Sequence, residues 1–122
     1  MRTQPLILAL GTVLAGGATA VQAHHGWSGN TTAIELTGTV VAPVDLSGPH
    51  GTMQIRDADG QVWDITLAPA PRTQRAGLTE GTLAVGAEVT LSGMRNDDAS
   101  RFEIKTRRVT HGDTNYDVYP QR

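Results

Sequence analysis

From residue 34 onward, apolar and polar side chains alternate in short runs separated by turn-forming residues, a period of two that suits strands and not helices. Ile34, Leu36 and Val40 alternate with Glu35, Thr37 and Thr39. A loop rich in Gly, Pro and Ser follows at residues 45–51. Residues 52–56 and 62–67 then read as a hairpin around Asp57-Ala58-Asp59-Gly60, where Asp-Gly supplies the positive φ that a tight turn needs. In the second arm Trp63, Ile65 and Leu67 share one face, opposite Asp64 and Thr66.

The alternation breaks at residues 68–79, where Pro69 and Pro71 can open a helix, residues 72–76 continue it and Gly77 ends it. Strands return at residues 87–94 and 101–109, joined by the polar turn Asn96-Asp97-Asp98, and residues 114–120 add a short edge strand. Three strands, a short helix and two strands form the order of an all-β, five-stranded OB-like barrel, whose helix bridges strands three and four and plugs one end. An open β-sandwich has a similar strand count. Closure protects the edges of a small sheet without disulfides and favours the barrel. The expected core is Ile34, Leu36, Val40, Ile55, Trp63, Ile65, Val89, Leu91, Phe102 and Ile104.

The first 23 residues read as a secretory signal peptide. Arg2 gives a positive start, residues 6–20 form an apolar stretch broken by Gly11, Gly16 and Gly17, and Val21-Gln22-Ala23 offers small residues where a signal peptidase reads. The apolar run is shorter than the ~20 residues of a spanning helix. Cleavage after Ala23 leaves 99 of 122 residues, an arm at 24–32 and one barrel domain at 33–122, destined for the periplasm or the exterior. Ala18-Thr19-Ala20 is the alternative cut. The processed form carries nine basic and twelve acidic residues, a charge of −3, which disfavours nucleic acid and gives no attraction to an anionic membrane. With no cysteine there is no disulfide and no lipid-bearing thiol, and a metal would need nitrogen, oxygen or thioether ligands.

Catalytic groupings are scarce. There is no Gly-x-Ser-x-Gly, phosphate-cradling loop or thiol nucleophile, and Asp57, Asp59, Asp97 and Asp98 sit in turns, so the chain is expected to bind and not to catalyse. Lys105, Arg107 and Arg108 form a basic run on the last long strand, read as a solvated edge with Arg108 facing away from the other two. Trp63 reads as core, while Trp27, Tyr116 and Tyr119 suit the margin of a core or a groove.

The four histidines stand outside the expected strand interiors: His24 and His25 in the arm, His50 in the first loop, His111 after the last long strand. Cleavage after Ala23 would give His24 a free α-amine, which together with its Nδ1 chelates one metal ion. A third nitrogen from a distant histidine completes a histidine brace, a set that suits copper. The α-amine titrates near pH 7.7–8, so a metal displaces its proton at neutral pH. His50 is the expected opposing ligand, with His25 accessory and His111 a substitute; Met53 is a possible soft ligand, although alternation with Ile55 points to core packing. The alternative is that all four are ordinary polar residues of an arm and loops.

The chain resembles a family of uncharacterised secreted bacterial proteins, a domain of unknown function with an OB-like fold. The resemblance rests on Ala23-His24-His25-Gly26-Trp27, Leu36-Thr37-Gly38-Thr39-Val40, and Gly48-Pro49-His50, where the family has Asn-Pro-His. It continues through the Asp57-to-Trp63 turn and strand, Pro71, Arg75 and Gly77 of the helix, and Gly86 to Gly93. It implies a secreted OB-like domain and groups His24, His25 and His50. The leading expectation is a periplasmic or secreted binding protein taking copper through the N-terminal histidines; the alternative is an OB-type module binding a small periplasmic ligand, glycan or protein partner without metal.

Overall fold

A computed structural model of the chain describes residues 28–120. Six strands and one helix follow in the order β1 (Thr32–Asp45), β2 (His50–Arg56), β3 (Val62–Pro69), α1 (Ala70–Arg75), β4 (Glu88–Arg95), β5 (Glu103–His111) and β6 (Thr114–Asp117). β1 lies between β2 and β4, β3 pairs with β2, and β5 pairs with β4. A parallel pairing of β3 with β5 closes these five strands into a barrel, and β6 adds a hairpin on β5. This is the expected OB-like barrel, with its one helix between strands three and four.

β1 is longer than the alternation suggested and runs straight through the apolar stretch 40–44 to Asp45. Its first half pairs with β4, from Thr32↔Arg95 to Thr39↔Glu88, and its second half with β2, from Thr39↔Arg56 to Asp45↔Thr52. Two register shifts bend the second half, and Pro43 sits exposed within the second of them, where its missing N–H costs no ladder bond. The first loop thus shrinks to residues 46–49, and His50 opens β2.

The turn at Asp57 shows what the Asp-x-Asp-Gly pattern accomplishes. Asp57 Oδ1 accepts from the backbone N–H of Asp59 and Gln61, both at 2.9 Å, and Oδ2 accepts from Trp63 Nε1 at 2.9 Å. Gly60 takes φ +87°, as a tight turn requires. The turn therefore fixes the ring of Trp63, which packs edge-on to Phe102 at 5.2 Å beneath the Arg95 guanidinium.

Seven of the expected core residues are buried: Val40, Ile55, Trp63, Ile65, Val89, Leu91 and Ile104. Ile34, Leu36 and Phe102 are partly buried and pack against that core. Ile34 and Leu36 lie in the half of β1 that has β4 as neighbour on one side only, which leaves them less covered. Met53 is core, as its alternation implied. Leu78 and Leu83, in the irregular stretch after α1, are also fully buried, so that loop plugs the barrel together with the helix.

One local expectation is corrected. Lys105, Arg107 and Arg108 do not form a solvated edge with simple alternation, because a bulge pairs Ser92 with Arg108 and Gly93 with Thr106, so that the β4 register passes over Arg107. Ile104, Lys105 and Thr106 are buried in succession.

Candidate ligand groove on the barrel face

Register brings polar residues from four strands into two rows on the outer face of the barrel. Asp45, Thr52, Thr66 and Lys105 form one row across β1, β2, β3 and β5. Ala42, Gln54, Asp64 and Glu103 form the second. Between them runs the buried row Met53, Ile65 and Ile104, which turns the opposite way. Neighbouring strands lie about 4.8 Å apart, so each row is roughly 14 Å long.

A groove of about 700 Å³ lies over this face. Thr52, Gln54, Asp64 and Thr66 line it from β2 and β3, Asp45 from the end of β1, and Glu80 from the loop after α1. That loop is tied across by Leu46 N–H, which reaches Glu80 Oε2 at 3.5 Å. Gln54 Nε2 donates to Asp64 Oδ1 at 2.7 Å, and Asp45 Oδ1 accepts from Ser47 Oγ at 2.6 Å and from its N–H at 2.9 Å. The Ser47 bonds hold the Asp45 carboxyl below its ordinary value. No side-chain bond to another described residue occupies the hydroxyls of Thr52 and Thr66. Ala42, Pro43, Val44, Met53 and Ile65 add apolar surface, and with no lysine, arginine or aromatic ring in the lining its polar chemistry is that of hydroxyls, an amide and carboxylates.

Lys105 ends the first row. It is 8% exposed. Desolvation pushes its pKa down, and no described residue gives the ammonium a hydrogen bond or ion pair. His50 precedes Thr52 by two residues on β2 and is paired with Pro69. Its pKa is also lowered, by desolvation first and then by the Lys105 charge. Sequence reading missed this groove. The visible signal was the polar side of the hairpin, Thr52, Gln54, Asp64 and Thr66, set against its apolar side.

Of the expected metal ligands, His24 and His25 lie outside the described residues, as does Trp27. His50 is half-buried at the start of β2, and His111 is exposed at the end of β5, six residues past Lys105 and opposite Thr114. Among the described residues, no group of three or more His, Asp or Glu is placed to hold a metal ion. No helix among them is long and apolar enough to cross a membrane.

The end of the arm that is described is firmly held. Asp97 accepts from Thr31 N–H, Thr31 Oγ1 and Thr32 Oγ1 at 2.8–2.9 Å, and its own N–H donates to Gly29 C=O at 2.7 Å. The Thr31 and Thr32 bonds, the backbone one foremost, hold its carboxyl below the ordinary 3.8. A depressed carboxyl stabilises the anchor above that value and loses it as pH falls through the lower folded pKa. Asp97→Ala should lower the protection factor of the Thr31 amide while β2 and β3 amides keep wild-type protection, and in the wild-type chain the Thr31 protection factor should fall as pH drops below the ordinary carboxylate range. Unchanged exchange at Thr31 would show that the anchor holds nothing.

Compared with family models, curated proteins and solved structures, the chain matches none.

Proposed function

We propose that this protein is a secreted or periplasmic binding module whose β1–β2–β3 face holds a small, hydrogen-bonding ligand such as a glycan fragment. The observation that carries this reading is the groove lined by Thr52, Gln54, Asp64, Thr66 and Glu80 on the face OB-type barrels use for binding. Two hydroxyls there have no side-chain partner among the described residues, and an amide already oriented by Asp64 stands beside them. Such preset polar groups fix a ligand's orientation at small entropic cost. The carboxylates and hydroxyls of the lining are read as hydrogen-bonding partners of the ligand, so the reading is of binding and not of turnover.

The test is a titration of isotopically labelled protein, begun at residue 24, with neutral and acidic sugars. Amide shifts should concentrate at Thr52, Gln54, Asp64 and Thr66, and Gln54→Ala with Thr66→Val should weaken binding about tenfold, the cost of one or two hydrogen bonds. No shift at millimolar sugar, or shifts confined to other faces, would overturn the reading.

The copper reading rests on Ala23-His24-His25 and keeps one structural support: Asp97 fixes the arm at Gly29, which leaves His24 within roughly 17 Å of that point by chain length. The described donors fit it poorly, since His50 has the Lys105 cation as neighbour and a metal ion would add positive charge there. It is tested by comparing Cu(II) affinity and EPR spectra of protein starting at His24 with protein carrying one extra residue. Identical results would exclude the α-amine as ligand.

A further inference from the structure

Building on the groove reading, we propose that Lys105, on β5 beside the groove residue Thr66, is an anion anchor just past the groove's β3 edge, so that the ligand held there carries a carboxylate or phosphate.

The placement follows from register. Lys105 is beside Thr66, which lines the groove, and Thr66 is beside Thr52. A ligand lying along this row meets a cation first, then two hydroxyls, then the carboxylates of Asp45 and Glu80. The row is polarised along its length. Its positive end binds an acidic group and its negative end takes hydroxyl or amine donors, the arrangement of charge in an acidic sugar or an amino acid.

The burial of Lys105 is what separates it from ordinary surface lysines. At 8% exposure it has surrendered most of its hydration, and no described carboxylate compensates: Glu103, the nearest acid along its own strand, bonds Asn96 Nδ2 and Arg101 instead. Covered, uncompensated charge costs stability, and a purely structural position would be filled better by an apolar residue. His50 adds a second nitrogen donor on the same face, two residues from Thr52. An arriving anion would replace lost solvation with charge-assisted hydrogen bonds, which are about twice as strong as neutral ones.

The competing features of the molecule explain themselves locally. Arg108 is paired with Asp117, and Glu35 accepts from the Ser92 hydroxyl at 3.5 Å.

The experiment measures affinity for glucose, glucuronate and glucose 6-phosphate in wild type, Lys105→Met and Lys105→Arg. Glucuronate or the phosphate should bind wild type about tenfold more tightly than glucose, and Lys105→Met should erase that difference while Lys105→Arg retains much of it. Whichever acid gains more identifies the anionic group. Lys105→Met keeps the stem's volume and removes the charge, so it should melt no lower than wild type. Should glucose and both acids bind the groove equally, or Lys105→Met leave the preference intact, the anchor is refuted while the groove reading stands. Failure of all three sugars to bind would overturn both. A Lys105→Met protein that unfolds would mean the ammonium is structural, and the wild-type preference among the three sugars would then still decide the anchor.

Discussion

Gly93→Ala should cost the domain about 3 kcal/mol, the upper part of the range for overpacking, because the new methyl group would collide with backbone and not with a side chain that can swing aside. A Cβ at this position would press into the Lys105 carbonyl oxygen, with Thr106 Cα at 2.9 Å and the Lys105 carbonyl carbon at 3.0 Å. The collision lies at the β4–β5 bulge, where the register slips between Ser92 and Gly93, so relief would require separating the two strands. For a domain of this size such a loss lowers Tm by roughly 15 °C, a large share of a stability of ~5–15 kcal/mol. Gly81→Ala is the control: nothing lies within 4 Å of its Cβ, and it should melt within a few degrees of wild type. Thermal and urea unfolding followed by circular dichroism decide the matter. If Gly93→Ala and Gly81→Ala melt together, the close approach of β4 to β5 is wrong.

Gly93 also shows how the sequence expresses the fold. Alternation in Trp63-Ile65-Leu67 and Val89-Leu91 was readable because each strand has one face to core and one to solvent, and a period of two survives wherever the ladder is regular. It failed where the ladder is irregular. The bulge at Gly93 shifts the phase of β5 beyond Thr106, and Lys105, expected on a solvated edge, is covered although it shares a face with Thr66. The two shifts in β1 let Pro43 lie inside a strand that composition would end before it. Leu78 and Leu83 are core without belonging to strand or helix, and no periodicity could announce them.

The candidate site was less legible for a related reason. A groove made of one residue from each of several strands depends on which strands are neighbours and in what register, and neither is written locally. Thr52, Thr66 and Lys105 are far apart in sequence and become a row only through the β2–β3 hairpin and the parallel β3–β5 closure. Histidines, by contrast, attract notice wherever they stand. His50 drew attention as a ligand and His111 as its substitute, and they sit on strands that are not paired with each other.

That closure carries the second large effect. Ile65→Ala should cost about 3–4 kcal/mol and Ile65→Val about 1, the usual spread for removing three methyl-sized groups or one from a packed core. Ile65 is 1% exposed, and its register partners Met53 and Ile104 are equally covered, so the space it leaves cannot be filled by solvent or by a neighbour's rotation without disturbing the row. The seam it joins is short. Asp64, Ile65 and Thr66 face Glu103, Ile104 and Lys105, whereas β1 and β4 run together from Thr32 to Thr39. A parallel pairing is also somewhat less stable per residue than an antiparallel one, so this seam depends more on side-chain packing than the others do. Hydrogen exchange should reveal that dependence. In Ile65→Ala, amides across β3–β5 should lose protection beyond the global loss, while those pairing β1 with β4 should lose only the global share. Uniform loss at both seams would show that the barrel opens as one unit, and a cost below about 1 kcal/mol for the alanine variant would show that Ile65 does not hold the closure.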